Sequence, residues 1–214
     1  MSTTERRARR PGLFITFEGG DGAGKSTQMR LLAQRLRATG REVVETVEPG
    51  GTEIGNQIRR VLLDRRNRGM SAMTEMLLYF AARAQNLEEV IIPALERDAV
   101  VLSDRYTDST LAYQSGGRSL GDDLVLGLHE IACRGMWPDL TICIDVDSSV
   151  GLARRHAAGE VNRLDEEAAE FHSRVREAYL DLARQDPERV KVVDGAAEPE
   201  IVSEQVWSVV KPHV

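Results

Sequence analysis

Short apolar runs along the chain alternate with longer segments in which apolar residues recur at helical spacing. Leu13 to Phe17 is such a run, and its end at a Glu-Gly-Gly sequence is typical of a strand buried on both faces. Four further runs have the same character. The pattern therefore predicts five strands, at residues 13–17, 43–47, 99–103, 140–146 and 190–193.

The intervening segments favour helices. Between residues 26 and 39, apolar side chains fall at i, i+3, i+4 and i+7, and Gly40 follows where a helix commonly ends. By the same reasoning, helices are predicted at residues 26–39, 54–64, 74–95, 122–134, 165–184 and 199–210.

Strands that alternate with helices are joined by right-handed crossovers and lie parallel. We therefore expect an α/β fold, a three-layer sandwich with a central, mostly parallel five-stranded sheet flanked by helices. Ligands of such sheets bind at the carboxyl ends of the strands. The loops after Phe17, Val47, Ser103 and Val146 are thus expected to face the functional site.

Charge and composition narrow the class of protein. The chain has 214 residues, with 28 basic and 34 acidic side chains that give a net charge of −6. This balance argues against a protein that coats nucleic acid or an anionic membrane. Two cysteines, Cys133 and Cys143, are too few for a disulfide framework or a four-ligand zinc site, and no signal-like apolar segment follows Met1. We expect a cytoplasmic protein without membrane or nucleic-acid partners.

The first twelve residues stand apart from this pattern because they contain arginines at positions 6, 7, 9 and 10. A nucleic-acid arm or a targeting sequence would have this composition, but we favour a disordered, solvated basic tail over residues 1–12. Residues 13–214 are then expected to form one domain, which is an ordinary size for this class of fold.

One motif carries specific chemistry. Residues 19–26, Gly-Gly-Asp-Gly-Ala-Gly-Lys-Ser, match G-x-x-x-x-G-K-[ST] between a predicted strand and a predicted helix, which indicates a fold of the P-loop NTPase type. The glycines let backbone N–H groups converge on phosphate oxygens, Lys25 neutralises phosphate charge, and the Ser26 hydroxyl can ligate Mg²⁺. The predicted ATP-binding residues are Gly19, Gly20, Asp21, Gly22, Ala23, Gly24, Lys25, Ser26 and Thr27.

Several classes of nucleotide-binding protein share this loop. A switch GTPase also needs an Asn-Lys-x-Asp motif, and Asn precedes neither Lys191 nor Lys211. A mass of 23.7 kDa leaves little room for the added modules of larger ATPases. A nucleotide or metabolite kinase is therefore the favoured class.

Three further motifs follow the strands or lie in a helix. They are Glu-Pro-Gly-Gly-Thr at residues 48–52, Tyr-Phe-Ala-Ala-Arg-Ala-Gln at residues 79–85, and Asp-Arg-Tyr-Thr-Asp-Ser-Thr-Leu-Ala-Tyr-Gln at residues 104–114. With the phosphate loop, and in this order and spacing, they resemble the bacterial thymidylate kinases from about Leu13 to the C-terminus. The resemblance implies transfer of the γ-phosphoryl group of ATP·Mg²⁺ to dTMP, giving dTDP and ADP for dTTP synthesis, by a homodimer.

Two kinds of alternative remain open. One is a kinase of another deoxynucleoside monophosphate or of a deoxynucleoside, and the other is a non-kinase regulatory ATPase. The acceptor separates these alternatives from the favoured interpretation. Another kinase needs a different acceptor for ADP release, and the regulatory ATPase needs none.

The resemblance also implies roles for individual residues. Ser26, Asp104 and Glu48 are the expected metal-site residues, Lys25 and Arg105 are expected to act in catalysis, and Arg59 corresponds to the arginine that holds the dTMP phosphate. The residues expected to contact dTMP are Asp21, Glu48, Arg59, Tyr79, Phe80, Arg83, Arg105, Ser109, Thr110, Tyr113 and Gln114.

Thymine has apolar faces and polar edges, so a stacking aromatic and a few polar side chains can recognise it. Arg83 matches the family arginine at the base edge, where Thr110 and Gln114 are also expected. Four residues before Arg83, where the family usually has Phe, this chain has Tyr79 followed by Phe80. Either aromatic side chain is a candidate for stacking on the base.

The sugar has its own expected contacts. Asp21 corresponds to the acidic residue that binds the 3′-hydroxyl group. Tyr113 is expected near C2′, where it would discriminate against ribose.

The source of catalytic positive charge is the last prediction. Some thymidylate kinases carry an arginine in the phosphate loop and others carry arginines in a lid. Gly22 occupies the loop position here, so the candidate lid at residues 151–165 should supply the charge through Arg154, Arg155 or Arg163. Arg163 fits the family signature D-R-[I/F]-E best and Arg155 is the second choice, although Asn and Asp replace the signature's Asp and Glu.

Overall fold

A computed structural model describes residues 11–159 and 162–214. Its five strands form one parallel sheet with the order β2-β3-β1-β4-β5, which places the first strand at the centre. The expected α/β architecture is thus confirmed, with every strand pair parallel. The strands are β1 (Leu13–Glu18), β2 (Val43–Val47), β3 (Val100–Asp104), β4 (Leu140–Asp145) and β5 (Val190–Asp194).

Helices cover both faces of the sheet. They are α1 (Lys25–Ala38), α2 (Glu53–Leu63), α3 (Ala72–Asn86), α4 (Ile92–Glu96), α5 (Thr107–Thr110), α6 (Asp122–Cys133), α7 (Ser148–Ala158), α8 (Ala169–Gln185) and α9 (Pro199–Val210). A π-helical turn, Leu87–Ile91, joins α3 to α4, and a second one, Leu111–Gly117, extends α5. Short 3₁₀ turns lie at Arg65–Asn67, Leu164–Glu166 and Lys211–His213.

Alternate residues of the central strand serve the two halves of the core. Ile15 and Phe17 pack in one apolar cluster with side chains of α1 and α9. Phe14 packs in the other cluster with Phe80 of α3. All three of these side chains are fully buried. A strand that is covered on both faces needs apolar residues on both, which explains the nearly continuous apolar run in the sequence of β1.

Three parts of the helical prediction were wrong. The sequence predicts a loop after β3, yet the segment forms α5 and its π-helical extension. Its residues from Thr107 to Gln114 are all buried, so no amphipathic period marks the helix. The candidate lid begins within a regular helix, α7, and the helix expected from residue 165 begins instead at Ala169 after a 3₁₀ turn.

Residues 1–10 of the predicted basic tail, which include its four arginines, lie outside the described residues. The backbone N–H of Gly12 donates to the carbonyl oxygen of Leu95 at 3.0 Å, so Gly12 belongs to the fold rather than to a tail. Across residues 11–159 and 162–214, every helix is too short or too polar to cross a lipid bilayer.

Candidate active site

The loop between β1 and α1 has the backbone conformation that anion binding requires. Gly19, Gly22 and Gly24 all adopt positive φ angles, of 126°, 73° and 96°, and α1 begins directly after the last of them. At Gly19 a Cβ atom would lie 2.2 Å from the carbonyl oxygen of Ile144. The tight turn therefore needs glycine, and it aims the N-terminus of α1 at the position for a phosphate group.

Lys25 is the first residue of α1 and is almost fully buried. Its Nζ donates to the carbonyl oxygens of Gly19 at 3.1 Å and Gly20 at 2.7 Å. Burial, together with the positive charge of Arg105, lowers the pKa of the Lys25 ammonium group to about 8. A phosphate anion at this position would restore the preference for the charged form.

Ser26 and Asp104 bring two hard oxygen donors together. The Ser26 hydroxyl donates to Asp104 Oδ2 at 2.7 Å, because β3 lies beside β1 and ends at the level of the phosphate loop. Among the described residues no group of three or more His, Cys, Asp or Glu side chains could hold a metal alone. The two donors therefore fit Mg²⁺ that takes its remaining ligands from water and phosphate oxygens.

Glu48, the third predicted metal residue, is engaged differently. Its Oε2 accepts from Arg83 Nε at 2.5 Å and its Oε1 accepts from Asn86 at 3.1 Å. Burial raises the pKa of this carboxyl group despite the charge of Arg83. The structure thus places Glu48 in a buried ion pair at the cavity wall, with both oxygens already accepting hydrogen bonds.

Arg105 lies between the two halves of the site. Its backbone φ is +76°, and one guanidinium nitrogen donates to Asp21 Oδ1 at 2.9 Å and to the Tyr113 hydroxyl at 3.2 Å. The other terminal nitrogen donates at 3.1 Å to Gly19 O, Ser109 Oγ and the Tyr179 hydroxyl. Five partners fix the plane of this guanidinium group, so it is oriented before any substrate arrives.

The pKa of the Asp21 carboxyl group depends on these charges. Burial disfavours its carboxylate, but the charges of Arg105 and Lys25 outweigh burial and hold its pKa well below the usual range. The Tyr113 hydroxyl also donates to Asp21 Oδ2 at 2.7 Å. Asp21 is therefore an ionised group in the phosphate loop, shared between Arg105 and Tyr113.

One cavity of about 510 Å³ joins the phosphate loop to the helices beyond β2 and β3. Its volume lies within the usual range of ligand-binding clefts. The predicted site residues that line it are Asp21, Gly22, Gly24, Lys25, Ser26, Thr27, Glu48, Arg59, Tyr79, Asp104, Arg105, Ser109, Thr110, Tyr113, Gln114 and Arg155.

The two candidate stacking residues are placed differently. Tyr79 lines the cavity, whereas Phe80 is 2% exposed and packs in the core against Phe14. The Phe80 ring lies 4.8 Å below the Arg83 guanidinium carbon. Of the pair, only Tyr79 is positioned to contact a ligand.

Arg83 lies behind the cavity wall rather than on it. The side chain is 1% exposed, and it donates to Glu48, to Thr110 Oγ1 at 3.0 Å and to the carbonyl oxygen of Tyr106 at 3.0 Å. It therefore fixes two cavity residues, Glu48 and Thr110. Arg59, by contrast, lines the cavity and donates to Pro49 O at 2.7 Å.

Comparison with known proteins agrees with this geometry. The family model described as thymidylate kinase matches residues 17–206. The chain belongs to the thymidylate kinase family. It is 50% identical to the thymidylate kinase of Pelobacter propionicus over 201 residues, covering 91% of this chain and 92% of that one.

Two further relatives support the membership. The thymidylate kinase of Thermomicrobium roseum is 52% identical over 198 residues, covering 92% of this chain and 93% of that one. A crystal structure of thymidylate kinase from Ehrlichia chaffeensis superposes with a TM-score of 0.78 at 32% identity, covering 93% of this chain and 98% of that chain. The fold and the family are therefore those of a thymidylate kinase.

The arginines of the predicted lid of this thymidylate kinase separate into two groups. Arg154 and Arg155 of α7 line the cavity, and Arg155 is close enough for its charge to act on the Asp21 carboxylate. Arg155 also pairs with Asp165 at 3.0 Å.

Arg163, the first choice for the catalytic lid arginine, is not at the phosphate loop. It is 5% exposed, donates from Nε to the carbonyl oxygen of Leu62 at 3.0 Å, and pairs with the buried carboxylate of Glu75. These contacts tie it to α2 and α3, so the signature position anchors the end of the lid segment. In this structure Arg163 thus lies at α2 and α3, and its catalytic role stays a prediction.

Three buried polar residues around the thymidylate kinase cavity were missed from the sequence. Glu18 accepts from the Tyr106 N–H, Ser109 Oγ and the Tyr179 hydroxyl, and burial raises its pKa to about 7. Glu75 accepts from Gln114, Arg118 and Arg163. Glu18 follows an apolar strand, and Tyr179 and Glu75 lie in helices. In the sequence, Glu18 looks like a strand end, Tyr179 like a core residue and Glu75 like a solvated charge. Only a close pairwise alignment could have identified them as residues of the site.

Proposed function

We propose that the protein transfers the γ-phosphoryl group of ATP to dTMP, giving ADP and dTDP, and so supplies the precursor for dTTP synthesis. The observation that carries this proposal is the cavity in which Arg105 lies between the phosphate loop and a pocket of aromatic and polar side chains. A cavity with a donor end and an acceptor end fits a transferase better than a nucleotide-binding regulator.

The donor end binds the triphosphate. Backbone N–H groups of residues 19–27 and the Lys25 ammonium group would surround the β- and γ-phosphates. Ser26 and Asp104 would hold Mg²⁺ bound with ATP, which would supply further neutralisation of phosphate charge. Arg155 is the lid arginine that we assign to the migrating phosphoryl group, since it lines the cavity.

The transfer itself needs positioning more than acid–base chemistry. The acceptor is already an anionic phosphate oxygen, so direct in-line transfer requires neither a general base nor a covalent enzyme intermediate. Arg105 and Arg59 would hold the acceptor phosphate in line. The fixed guanidinium plane of Arg105 supports this role.

The acceptor end would read dTMP. Tyr79 stacks on the base in this proposal, and Thr110 and Gln114 face its polar edge, while Arg83 holds Thr110 in place. Asp21 binds the sugar 3′-hydroxyl and Tyr113 lies near C2′, where a ribose hydroxyl would be rejected.

The test is coupled ADP release from ATP·Mg²⁺ with dTMP, dUMP, dCMP, dGMP, AMP, thymidine or no acceptor. We expect strong preference for dTMP and little release without acceptor. Preference for another monophosphate or for thymidine would keep the phosphate-loop chemistry and overturn the base pocket. Release that needs no acceptor would instead indicate the regulatory ATPase.

Assembly and location complete the proposal. Helices α2, α3 and α6 pack side by side and expose apolar side chains, among them Ile54, Leu77, Leu124 and Ile131, the last 80% exposed. We propose that this surface forms a homodimer, because large apolar side chains exposed on neighbouring helices favour protein contact. Sedimentation velocity checks this, and a monomer at micromolar concentration would contradict it. The free thiols of Cys133 and Cys143 support a reducing compartment, the cytoplasm.

A further inference from the structure

Glu75 is a buried carboxylate that no step of the proposed transfer uses. It lies on α3, is 1% exposed, and its side chain is surrounded by donors. Arg163 pairs with it, Arg118 donates to it at 3.2 and 3.3 Å, and Gln114 Nε2 donates to it at 3.0 Å. Burial alone would raise the pKa of this carboxyl group, but the hydrogen bonds from Arg118, Gln114 and Arg163 outweigh burial and lower it. Glu75 is therefore an ionised group that can only accept hydrogen bonds.

This charge dictates which way the Gln114 amide points. An amide that faces a carboxylate must present its NH₂ group, since its oxygen would meet another acceptor. Gln114 also lines the cavity, and among the described residues none donates to its Oε1. The amide oxygen is thus the atom that Gln114 can offer to a ligand.

The orientation has a chemical consequence for the base. Thymine and uracil carry a hydrogen at N3, so N3 donates, whereas the N3 of cytosine is an acceptor. An amide oxygen held towards the Watson–Crick edge bonds the first two bases and opposes the lone pair of the third. Sites built to hydrogen-bond a polar group reject analogues that leave buried polar groups unpaired.

We propose that Glu75 is a specificity-determining positioning residue, which fixes the Gln114 amide so that the pocket accepts thymine or uracil and rejects cytosine. Arg163 and Arg118 keep Glu75 charged, which gives the signature arginine of the lid segment a role in acceptor selection. This inference rests on the proposed placement of the dTMP base beside Gln114.

The decisive variant is Glu75→Gln. Arg163 and Arg118 can only donate, whereas the Gln114 amide can turn, so the new amide oxygen is expected in the place of Oε2, which accepts from Arg163 and from Arg118 Nη2. The new NH₂ group then takes the place of Oε1, where it faces Gln114 Nε2 as well as Arg118 Nε. Gln114 then has to turn its oxygen towards residue 75 and its NH₂ group into the cavity. We expect kcat/KM for dTMP to fall about tenfold, mainly through KM, which is the usual effect of one lost hydrogen bond to a ligand.

The ratio of acceptors separates this role from a structural one. The preference for dTMP over dCMP should fall by at least about tenfold, while the preference for dTMP over dUMP stays within about twofold, because thymine and uracil share the N3 hydrogen. Equilibrium binding of dTMP and dCMP should change in the same way without turnover. Equal losses for all three acceptors would overturn the proposal.

Glu167→Gln is the matched control. Glu167 accepts from the same Arg118 at 2.7 Å but is 29% exposed and does not contact Gln114. It should leave all acceptor ratios unchanged. A shift in the dTMP:dCMP ratio as large as that of Glu75→Gln would contradict the proposal.

Two more variants cover the remaining outcomes. If Glu75→Gln does not fold, Glu75→Asp keeps the charge and should retain the dTMP:dCMP preference even where KM rises, so a lost preference would overturn the inference.

Gln114→Met tests the site itself. If its KM for dTMP is unchanged, the base does not lie beside Gln114 and the proposed pocket fails. If that KM rises while Glu75→Gln keeps its preference, only the role of Glu75 fails.

Discussion

The donor end and the acceptor end of the cavity are built in opposite ways. In the proposed function the donor end consists of nine consecutive residues, 19–27, and the polar contacts of Lys25 there go to backbone carbonyl oxygens. The acceptor end is assembled from side chains of β1, the loop after β2, α3, the segment after β3 and α8, which hydrogen-bond to one another. A phosphate site can therefore be carried by a local sequence, whereas a base site depends on how distant elements pack.

The difference predicts two kinds of mutational response. Removal of a donor-end side chain leaves the loop backbone without a large defect, so it should cost activity and little stability. Removal of an acceptor-end side chain leaves a buried polar partner unsatisfied, so it should cost both.

Lys25→Ala is the strongest test of the donor end. We expect kcat to fall by on the order of 10³-fold, because the charge on the transferring phosphoryl group loses its main protein partner. The melting temperature should stay close to that of the wild type. Turnover near the wild-type rate would refute the assignment of the phosphate loop, and a large fall in melting temperature would refute the contrast between the two ends.

Arg83→Met tests the acceptor end in the same way. It leaves Glu48 buried beside Asn86 without its cationic partner, and we expect a loss of about 4 kcal/mol in the free energy of unfolding, measured by urea titration. KM for dTMP should also rise, since Thr110 loses a donor.

The exposed pair of Arg37 and Glu45 is the control for Arg83→Met. Arg37→Met should cost at most about 1 kcal/mol, as exposed ion pairs do. Similar losses in the two variants would contradict the claim that burial sets the size of the effect.

The pH dependence of stability tests the buried polar contacts of the acceptor end at Glu18. Its pKa rises from 4.5 to about 7 in the fold, because burial and the nearby Asp108 disfavour the carboxylate. The folded state therefore binds the proton more tightly, so the contribution of Glu18 is full below pH 4.5 and is lost as the pH rises through 7.

The expected loss is about 3 kcal/mol relative to a Glu18→Gln variant, whose amide mimics the protonated acid. Urea unfolding of both proteins between pH 5 and 8 measures it. If the difference in unfolding free energy between them did not change with pH, Glu18 would have an ordinary pKa in the fold.

Tyr179→Phe is the mildest change. It removes one hydroxyl that contacts Arg105 at 3.1 Å, Ser109 at 2.8 Å and Glu18 at 3.0 Å. We expect kcat to fall about tenfold, since a hydrogen bond to a charged group is lost, with KM for ATP unchanged. An increase in KM for ATP instead would show that α8 serves the donor end.

Much of this protein follows from local sequence. Apolar runs of strand length and amphipathic segments determine the elements, and their alternation determines a parallel sheet, because each crossover must pack a helix on it. The phosphate loop can also be recognised in the sequence, since glycines at positions 19, 22 and 24 supply its positive φ angles and α1 begins directly after them.

Tertiary structure decided the rest. Whether Tyr79 or Phe80 faces the cavity depends on the rotation of α3 about its axis, and core packing of Phe80 settles it. Arg163 matches a signature in sequence, but its position is set by a buried carboxylate 88 residues away. The buried carboxylates of Glu18 and Glu75 hydrogen-bond to residues far away in the chain. Hydrophobic periodicity does not predict such pairs, because it shows only which face of an element is buried. It does not show which polar partner that face meets.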